Sequence, residues 1–170
     1  MLRKRKVFEN NKKRRMKKIL FVCHGNICRS PMAEFIMKDL VKKAGREKEF
    51  YIESAATSTE ELGNSVYPPA QRKLAEHGIS CKGKRARQVR REDYEQFDLI
   101  LCMDRWNIRN IQRIIPDDPD RKIRLLMDYS SRPGTEVADP WYTDDFEATW
   151  RDCLNGCQGL LEKVLNENAG

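Results

Sequence analysis

Cys23, Arg29 and Ser30 fall within eight residues of one another in Val22-Cys23-His24-Gly25-Asn26-Ile27-Cys28-Arg29-Ser30-Pro31. A thiol, a guanidinium and a hydroxyl at this spacing suit a phosphate pocket with a nucleophile at its base. Arg29 carries a planar fork that binds two phosphoryl oxygens at once, which Lys cannot do. Loop N–H groups, a following helix dipole and Arg29 would all stabilise negative charge on Cys23, so a nucleophilic thiolate is expected. The Ser30 hydroxyl can donate to the Cys23 sulfur, making that sulfur a better leaving group when a phospho-enzyme is hydrolysed. Gly25 and Asn26 both tolerate positive φ, which would let His24, Gly25, Asn26, Ile27 and Cys28 turn their N–H groups inward. Ester cleavage also needs a proton for the departing oxygen. Asp139, in Val137-Ala138-Asp139-Pro140-Trp141-Tyr142, is the candidate acid, with Trp141 and Tyr142 as aromatic walls for a phenyl phosphate.

These groups converge only if the chain supplies a scaffold. Ile19 to Val22 is a short apolar run that reads as a buried strand. Ser30 and Pro31 suit the cap and first turn of a helix, and Met32, Phe35, Ile36 and Leu40 then recur at helical spacing to an end near Ala44-Gly45. The loop therefore joins the carboxyl end of a strand to the amino end of a helix, where an anion is favoured. A second strand starts at Phe50-Tyr51-Ile52, and Ala70 to Gly78 reads as a helix with His77 at its end. The basic segment Lys82 to Arg91 reads as a solvated loop. Phe97 to Met103 is a third strand, Asp104 a helix cap, and Trp106 to Ile115 a helix stopped by Pro116. Ile123 to Met127 is a fourth strand, Asp144 and Asp145 are helix-start residues, and a last helix runs from about Asp145 to Asn166. Four alternations imply an α/β fold with a parallel sheet covered on both faces and a ligand site at the strands' carboxyl ends.

A chain of 170 residues with 39% apolar and 35% charged residues suits one domain. Its net charge of +7 invites a nucleic-acid reading. Residues 1–18 contribute +9, however, leaving −2 for residues 19–170, so the folded part is not basic and no specific nucleic acid is expected. Residues 1–16 form an expected disordered basic tail. No run approaches the roughly 18 apolar residues of a membrane span, and no signal-peptide stretch precedes the domain. The six cysteines show no CxxC pair and only two histidines accompany them, so no metal site is expected and a reduced, cytoplasmic protein is the simpler account. Cys153 and Cys157 read as helix core.

Cys23-x5-Arg29-Ser30, followed by Pro31 and combined with Asp139-Pro140-Trp141-Tyr142, resembles the low-molecular-weight protein tyrosine phosphatases. The resemblance spans roughly residues 17–167. It implies a domain over residues 17–170 with a four-stranded parallel sheet in order 2-1-3-4 inside a three-layer sandwich. It implies phosphotyrosine hydrolysis through a Cys23 thiophosphate, with Arg29 binding phosphate, Asp139 as general acid and base, and no cofactor. Ser54 and Ser58 would support the phosphate loop, and Ala86-Arg87-Gln88 is similar to a run near the family's pocket. Relatives commonly place an aromatic where Glu60 stands, so this wall of the substrate site is acidic. The expected partner is a phosphorylated protein and the expected state a monomer.

Three other readings compete. Phosphoarginine phosphatases resemble the family but carry Thr where Ile27 stands, and Ile27 tilts the choice to tyrosine. Arsenate reduction on this fold needs a cysteine pair that Cys81 lacks. An inactive phospho-binding module would not require Cys23, Arg29 and Asp139 together. Cys28, sharing the loop with Cys23, is also a candidate resolving thiol for peroxide-oxidised Cys23. Because the basic charge lies outside the domain, deleting residues 1–15 should leave kcat and KM on a small aryl phosphate nearly unchanged. A steady-state assay of the truncated protein checks this, and any effect of the tail on RNA or anionic vesicles should fade with added salt.

Overall fold

A computed structural model describes residues 15–169. The expected tail, residues 1–16, lies almost entirely outside them. Four strands form one parallel sheet: β1 (Lys17–Cys23), β2 (Phe50–Ala56), β3 (Leu99–Cys102) and β4 (Ile123–Leu125), in the order β2-β1-β3-β4. Among the described residues six α-helices accompany them: α1 (Arg29–Lys43), α2 (Pro68–Glu76), α3 (Asp93–Gln96), α4 (Arg105–Ile111), α5 (Pro140–Thr143) and α6 (Phe146–Ala169).

Period-two alternation of β1 divides the core. Ile19, Phe21 and Cys23 face one side, with Met32 and Ile36 of α1, Leu74 of α2 and Cys153 of α6. Leu20 and Val22 face the other, with Phe97, Ile100, Ile111 and Ile115. This two-sided burial is the three-layer arrangement and explains why β1 reads as a continuous apolar run. Cys153 and Cys157 are fully buried, their thiols 3.8 and 3.6 Å from the carbonyl oxygens of Arg29 and Ala33. α6 lies very close to the single turn Leu126–Tyr129. A Cβ on Gly159 would overlap the Tyr129 carbonyl oxygen, and one on Gly156 would come within 2.7 Å of Leu126 Cγ.

Several expectations shift. The helix start moves by two residues: Cys28 is the N-cap of α1, and Ser30 and Pro31 lie inside its first turn. The Ser30 hydroxyl is turned to Cys23 and cannot cap. Phe97, Asp98 and Met103 lie outside β3, and Leu126–Met127 form a 3-10 turn rather than the end of β4. The helix expected to Ile115 is regular only to Ile111. Asp145 does serve the start of α6, accepting from the Ala148 N–H at 2.9 Å. Asp144 instead closes the short helix α5 in a left-handed conformation, φ 54°. His77 ends α2 as expected, and its ring stacks on Trp150 at 3.7 Å. Among the described residues no helix is long and apolar enough to cross a membrane.

Candidate active site

In-register parallel pairing ends the central strands at one edge, with Cys23 opposite Ala56 and Val22 opposite Cys102. The segments that follow β1, β2 and β3 therefore emerge together. The Thr57 N–H donates to the Cys23 carbonyl at 3.0 Å, and the Ser58 N–H and hydroxyl both donate to the His24 carbonyl, at 3.1 and 2.9 Å. The Tyr67 N–H holds the Ile27 carbonyl at 2.8 Å. With its carbonyls tied outward, the loop leaves its N–H groups for the interior, the arrangement of an anion nest.

Cys23 Sγ sits at the floor, 3.0 Å from Ser30 Oγ and 3.3 Å from the Asn26 N–H. Asn26 takes the left-handed conformation, φ 60°. Gly25, expected to share that role, does not have positive φ. Its lack of a side chain instead admits Glu61, whose Cγ would lie 3.3 Å from a Cβ there. Asn26 is more than a turn residue. Its Nδ2 donates to Ser30 Oγ and to Ser54 Oγ, both at 2.9 Å, and its Oδ1 accepts from the Arg87 N–H at 3.2 Å. Ser54 and Ser58 thus both brace the loop.

Arg29 is 4% exposed. Its Nη1 lies 2.7 Å from Asp104 Oδ2 and 3.4 Å from the Val137 carbonyl, and its Nη2 lies 3.3 Å from Asp139 Oδ2. Burial works against the guanidinium charge, but Cys23, Asp104 and Asp139 outweigh it and raise the Arg29 pKa. Cys28 has the opposite environment: burial first, then the charges of Cys23 and Asp139, push its thiol up to about 12.

The cleft above Cys23 holds about 570 Å³. His24, Gly25, Ile27, Cys28 and Arg29 line its base, and Glu60, Asp139, Trp141 and Tyr142 its mouth. Trp141 and Tyr142 are 65% and 85% exposed, so their rings are free to pack on an incoming group. Asp139 Oδ1 accepts from the Trp141 N–H at 3.0 Å, which fixes the turn through Pro140. The acidic wall is real: Glu60 Oε2 lies 3.0 Å from His24 Nε2. The structure therefore brings together every loop and wall candidate.

The sequence reading missed four contributors. Asp104 was visible only as a helix cap, which it is, accepting from the Asn107 N–H at 2.8 Å with its second oxygen on Arg29. Trp106 lines the cleft and supplies an aromatic surface that Glu60 does not. Glu34 is 3% exposed beneath the loop, bound to Ser54, Lys38 and Lys84. The Lys82–Arg91 segment is not simply solvated: Lys84 pairs with Glu34, and Arg87 with Asp93 and Glu53. Helical spacing could have signalled Glu34, which sits among apolar residues on the inward face of α1. Nothing local signals the pairing of Lys84 or Asp104.

The chain matches the family described as low molecular weight phosphotyrosine protein phosphatase over residues 18–169. It is 41% identical over 152 residues to a low molecular weight phosphotyrosine protein phosphatase of Gallus gallus, covering 87% of this chain and 96% of that one. It is 39% identical over 150 residues to the low molecular weight protein-tyrosine-phosphatase YfkJ of Bacillus subtilis, covering 88% and 96%. The crystal structure of YfkJ superposes with a TM-score of 0.85 at 38% identity, over 89% of this chain and 96% of that one. DARP, a Drosophila arginine phosphatase, superposes with a TM-score of 0.76 at 30% identity, over 86% and 97%.

Asp104 both pairs Arg29 and caps α4, and the two roles are separable. Asp104→Ala should lower unfolding stability by about 3 kcal/mol, because it leaves a buried guanidinium short of a partner and a helix uncapped. Asp104→Asn, which still caps, should lose about 1 kcal/mol less. Urea unfolding of both variants checks the order.

Proposed function

This chain belongs to the low molecular weight phosphotyrosine protein phosphatase family, and from that premise we propose that it hydrolyses phosphotyrosine in proteins through a Cys23 thiophosphate. The observation that carries the reading is the shared guanidinium. Arg29, rooted in the Cys23 loop, reaches Asp139 from the far side of the cleft at 3.3 Å. Nucleophile, phosphate clamp and acid are thereby within one phosphoryl group of each other.

A bound phosphoryl group takes the loop N–H groups and replaces Asp139 on Nη2 of Arg29, which frees the carboxyl to face the leaving oxygen. The Cys23 sulfur electron pair forms the S–P bond as the P–O bond to the phenol breaks, and the departing oxygen takes the Asp139 proton. In the second step a water oxygen forms the new P–O bond and gives its proton to the Asp139 carboxylate. The S–P bond breaks and its electrons return to the sulfur, which faces the Ser30 hydroxyl at 3.0 Å. Trp141, Tyr142 and Trp106 offer the aromatic surfaces that a phenyl ring needs.

The structural likeness to an arginine phosphatase keeps phosphoarginine as the second candidate. Ile27, at the base of the cleft, favours phosphotyrosine. A monomeric, cytoplasmic enzyme acting on phosphorylated proteins, with residues 1–16 as an accessory tail, completes the reading. Redox sensitivity belongs to it too. Burial first and then the Cys23 charge keep the Cys28 thiol protonated. Peroxide oxidises Cys23 to the sulfenic acid, and the Cys28 sulfur, giving up its proton, then forms the S–S bond as the S–O bond breaks with loss of water.

Cys23→Ser and Arg29→Lys should each abolish turnover of p-nitrophenyl phosphate in EDTA while leaving the fold intact. Asp139→Ala should slow phenyl phosphate far more than p-nitrophenyl phosphate, since only the poorer leaving group depends on the proton. Equal losses would exclude Asp139 as the acid. Phosphotyrosine peptides should be cleaved in preference to phosphoarginine peptides. After peroxide and then dithiothreitol, wild type should recover activity and Cys28→Ser should not, and equal recovery would refute the role of Cys28.

A further inference from the structure

The reaction above leaves two carboxylates of the cleft unused. Among the described residues the cleft lining holds one guanidinium, Arg29, against four carboxylates, Asp104, Asp139, Glu60 and Glu61. Asp104 and Asp139 both face Arg29, at 2.7 and 3.3 Å. Glu60 and Glu61 face no such cation. Glu60 Oε2 meets the His24 imidazole at 3.0 Å, the two side chains being 68% and 51% exposed, and an imidazole offsets a carboxylate only when protonated. Glu61 Oε2 accepts from Asn64 Nδ2 at 2.6 Å, and its methylenes lean over Gly25. Among the described residues neither glutamate pairs with a lysine or arginine, whereas the surface carboxylates of Glu76 and Glu136 both do.

Where these carboxylates stand decides what they can meet. The mouth has three sides. Trp141 and Tyr142 of α5 form one and Trp106 of α4 another, so a phenyl ring finds its apolar surfaces there. The third side, on the segment after β2, is Glu60 and Glu61. A phenyl ring gains nothing from two hydrated carboxylates, and an acidic residue beside the phosphotyrosine is repelled by them. An ammonium or guanidinium in the same place is attracted. Long Lys and Arg stems can bring that charge to the rim while the phosphorylated ring occupies the cleft. The α4 side does not suit a cation, since Arg109 Cζ already lies 4.9 Å from the centre of the Trp106 ring.

We propose that Glu60 and Glu61 are specificity-determining residues that select phosphotyrosine sites flanked by lysine or arginine. This rests on the phosphotyrosine reading and names its substrate class, proteins phosphorylated within basic stretches. The wall lies at the solvent-exposed rim, so its attraction acts on substrate binding rather than on the P–O bond. Selection therefore appears in KM and in kcat/KM, and it weakens as salt screens the charges.

Three phosphotyrosine peptides that differ only in the two residues on each side, Lys, Gln or Glu throughout, test this with the full chain at low ionic strength. Wild type should cleave the Lys peptide with a kcat/KM roughly tenfold above that of the Gln peptide, the product of exposed ion pairs worth about threefold each, and the Glu peptide should fall lower still. Ratios are compared within each variant, so a change in turnover common to all three peptides cancels. Glu60→Gln combined with Glu61→Gln keeps the methylenes over Gly25 and an acceptor for Asn64, and should bring the Lys-to-Gln ratio within about twofold of one. Each single Gln variant should lose part of the preference and carries the test if the double variant does not fold. Glu60→Lys combined with Glu61→Lys should invert the order of the peptides, which a merely structural role would not do. Salt at about 1 M should remove the wild-type preference. A Lys-to-Gln ratio near one in wild type, or a preference that survives in the Gln variants, would overturn the proposal. Failure of wild type to cleave any of the three peptides would instead refute the phosphotyrosine reading, and this selection with it.

Discussion

One buried cation organises this molecule. Arg29 is almost inaccessible to water, and an unpaired guanidinium there would be prohibitively costly, so anionic and carbonyl partners must reach it from elsewhere in the chain. Asp104 arrives from the end of β3, and Asp139 and the Val137 carbonyl from the segment before α5. These contacts tie the β3–β4 crossover and the segment between β4 and α5 to the loop after β1. The same pairing that stabilises the charge thus assembles the cleft, and a phosphoryl group can enter by replacing one carboxylate on a guanidinium already in place.

Preorganisation extends below the loop. Asn26 pays for a left-handed backbone, φ 60°, and returns three side-chain hydrogen bonds that join the loop to Ser30, Ser54 and Arg87. Arg87 in turn is pinned by Asp93 and Glu53. Removing one partner from such a network leaves the buried Asn26, Ser30, Ser54 or Asp93 short of a hydrogen bond, so its members act as a unit. On the opposite side, α6 holds the segment that carries Asp139. Thr149 donates to the Ala138 carbonyl at 2.8 Å, and Asp152 accepts from the Ala138 N–H at 3.0 Å. The close approach at Gly156 and Gly159 seats α6 against the turn after β4 and so sets where those two side chains stand.

Chemistry confined to one stretch of chain was legible from residue order alone. Cys23, Arg29 and Ser30 lie between an apolar run and an amphipathic one, so the strand, loop and helix that carry them follow from local patterning. The alternation of strands and helices likewise determined a parallel sheet, because sequence period and crossover length are local properties. What depended on which distant residues meet was not legible. Asp104 looked like a cap because its second oxygen meets Arg29 only after β1 and β3 pair. Lys84 and Arg87 looked like solvated charge because Glu34, Glu53 and Asp93 reach them through the fold. Ser30 read both as a helix cap and as a partner for the Cys23 sulfur, and the tertiary structure keeps only the second role. The sequence by itself determined which groups could do the chemistry and the fold class that carries them. Only the tertiary structure decided how buried charges are neutralised and which way the hydrogen bonds beneath Cys23 run, because burial makes each polar group take whatever partner long-range packing brings within reach.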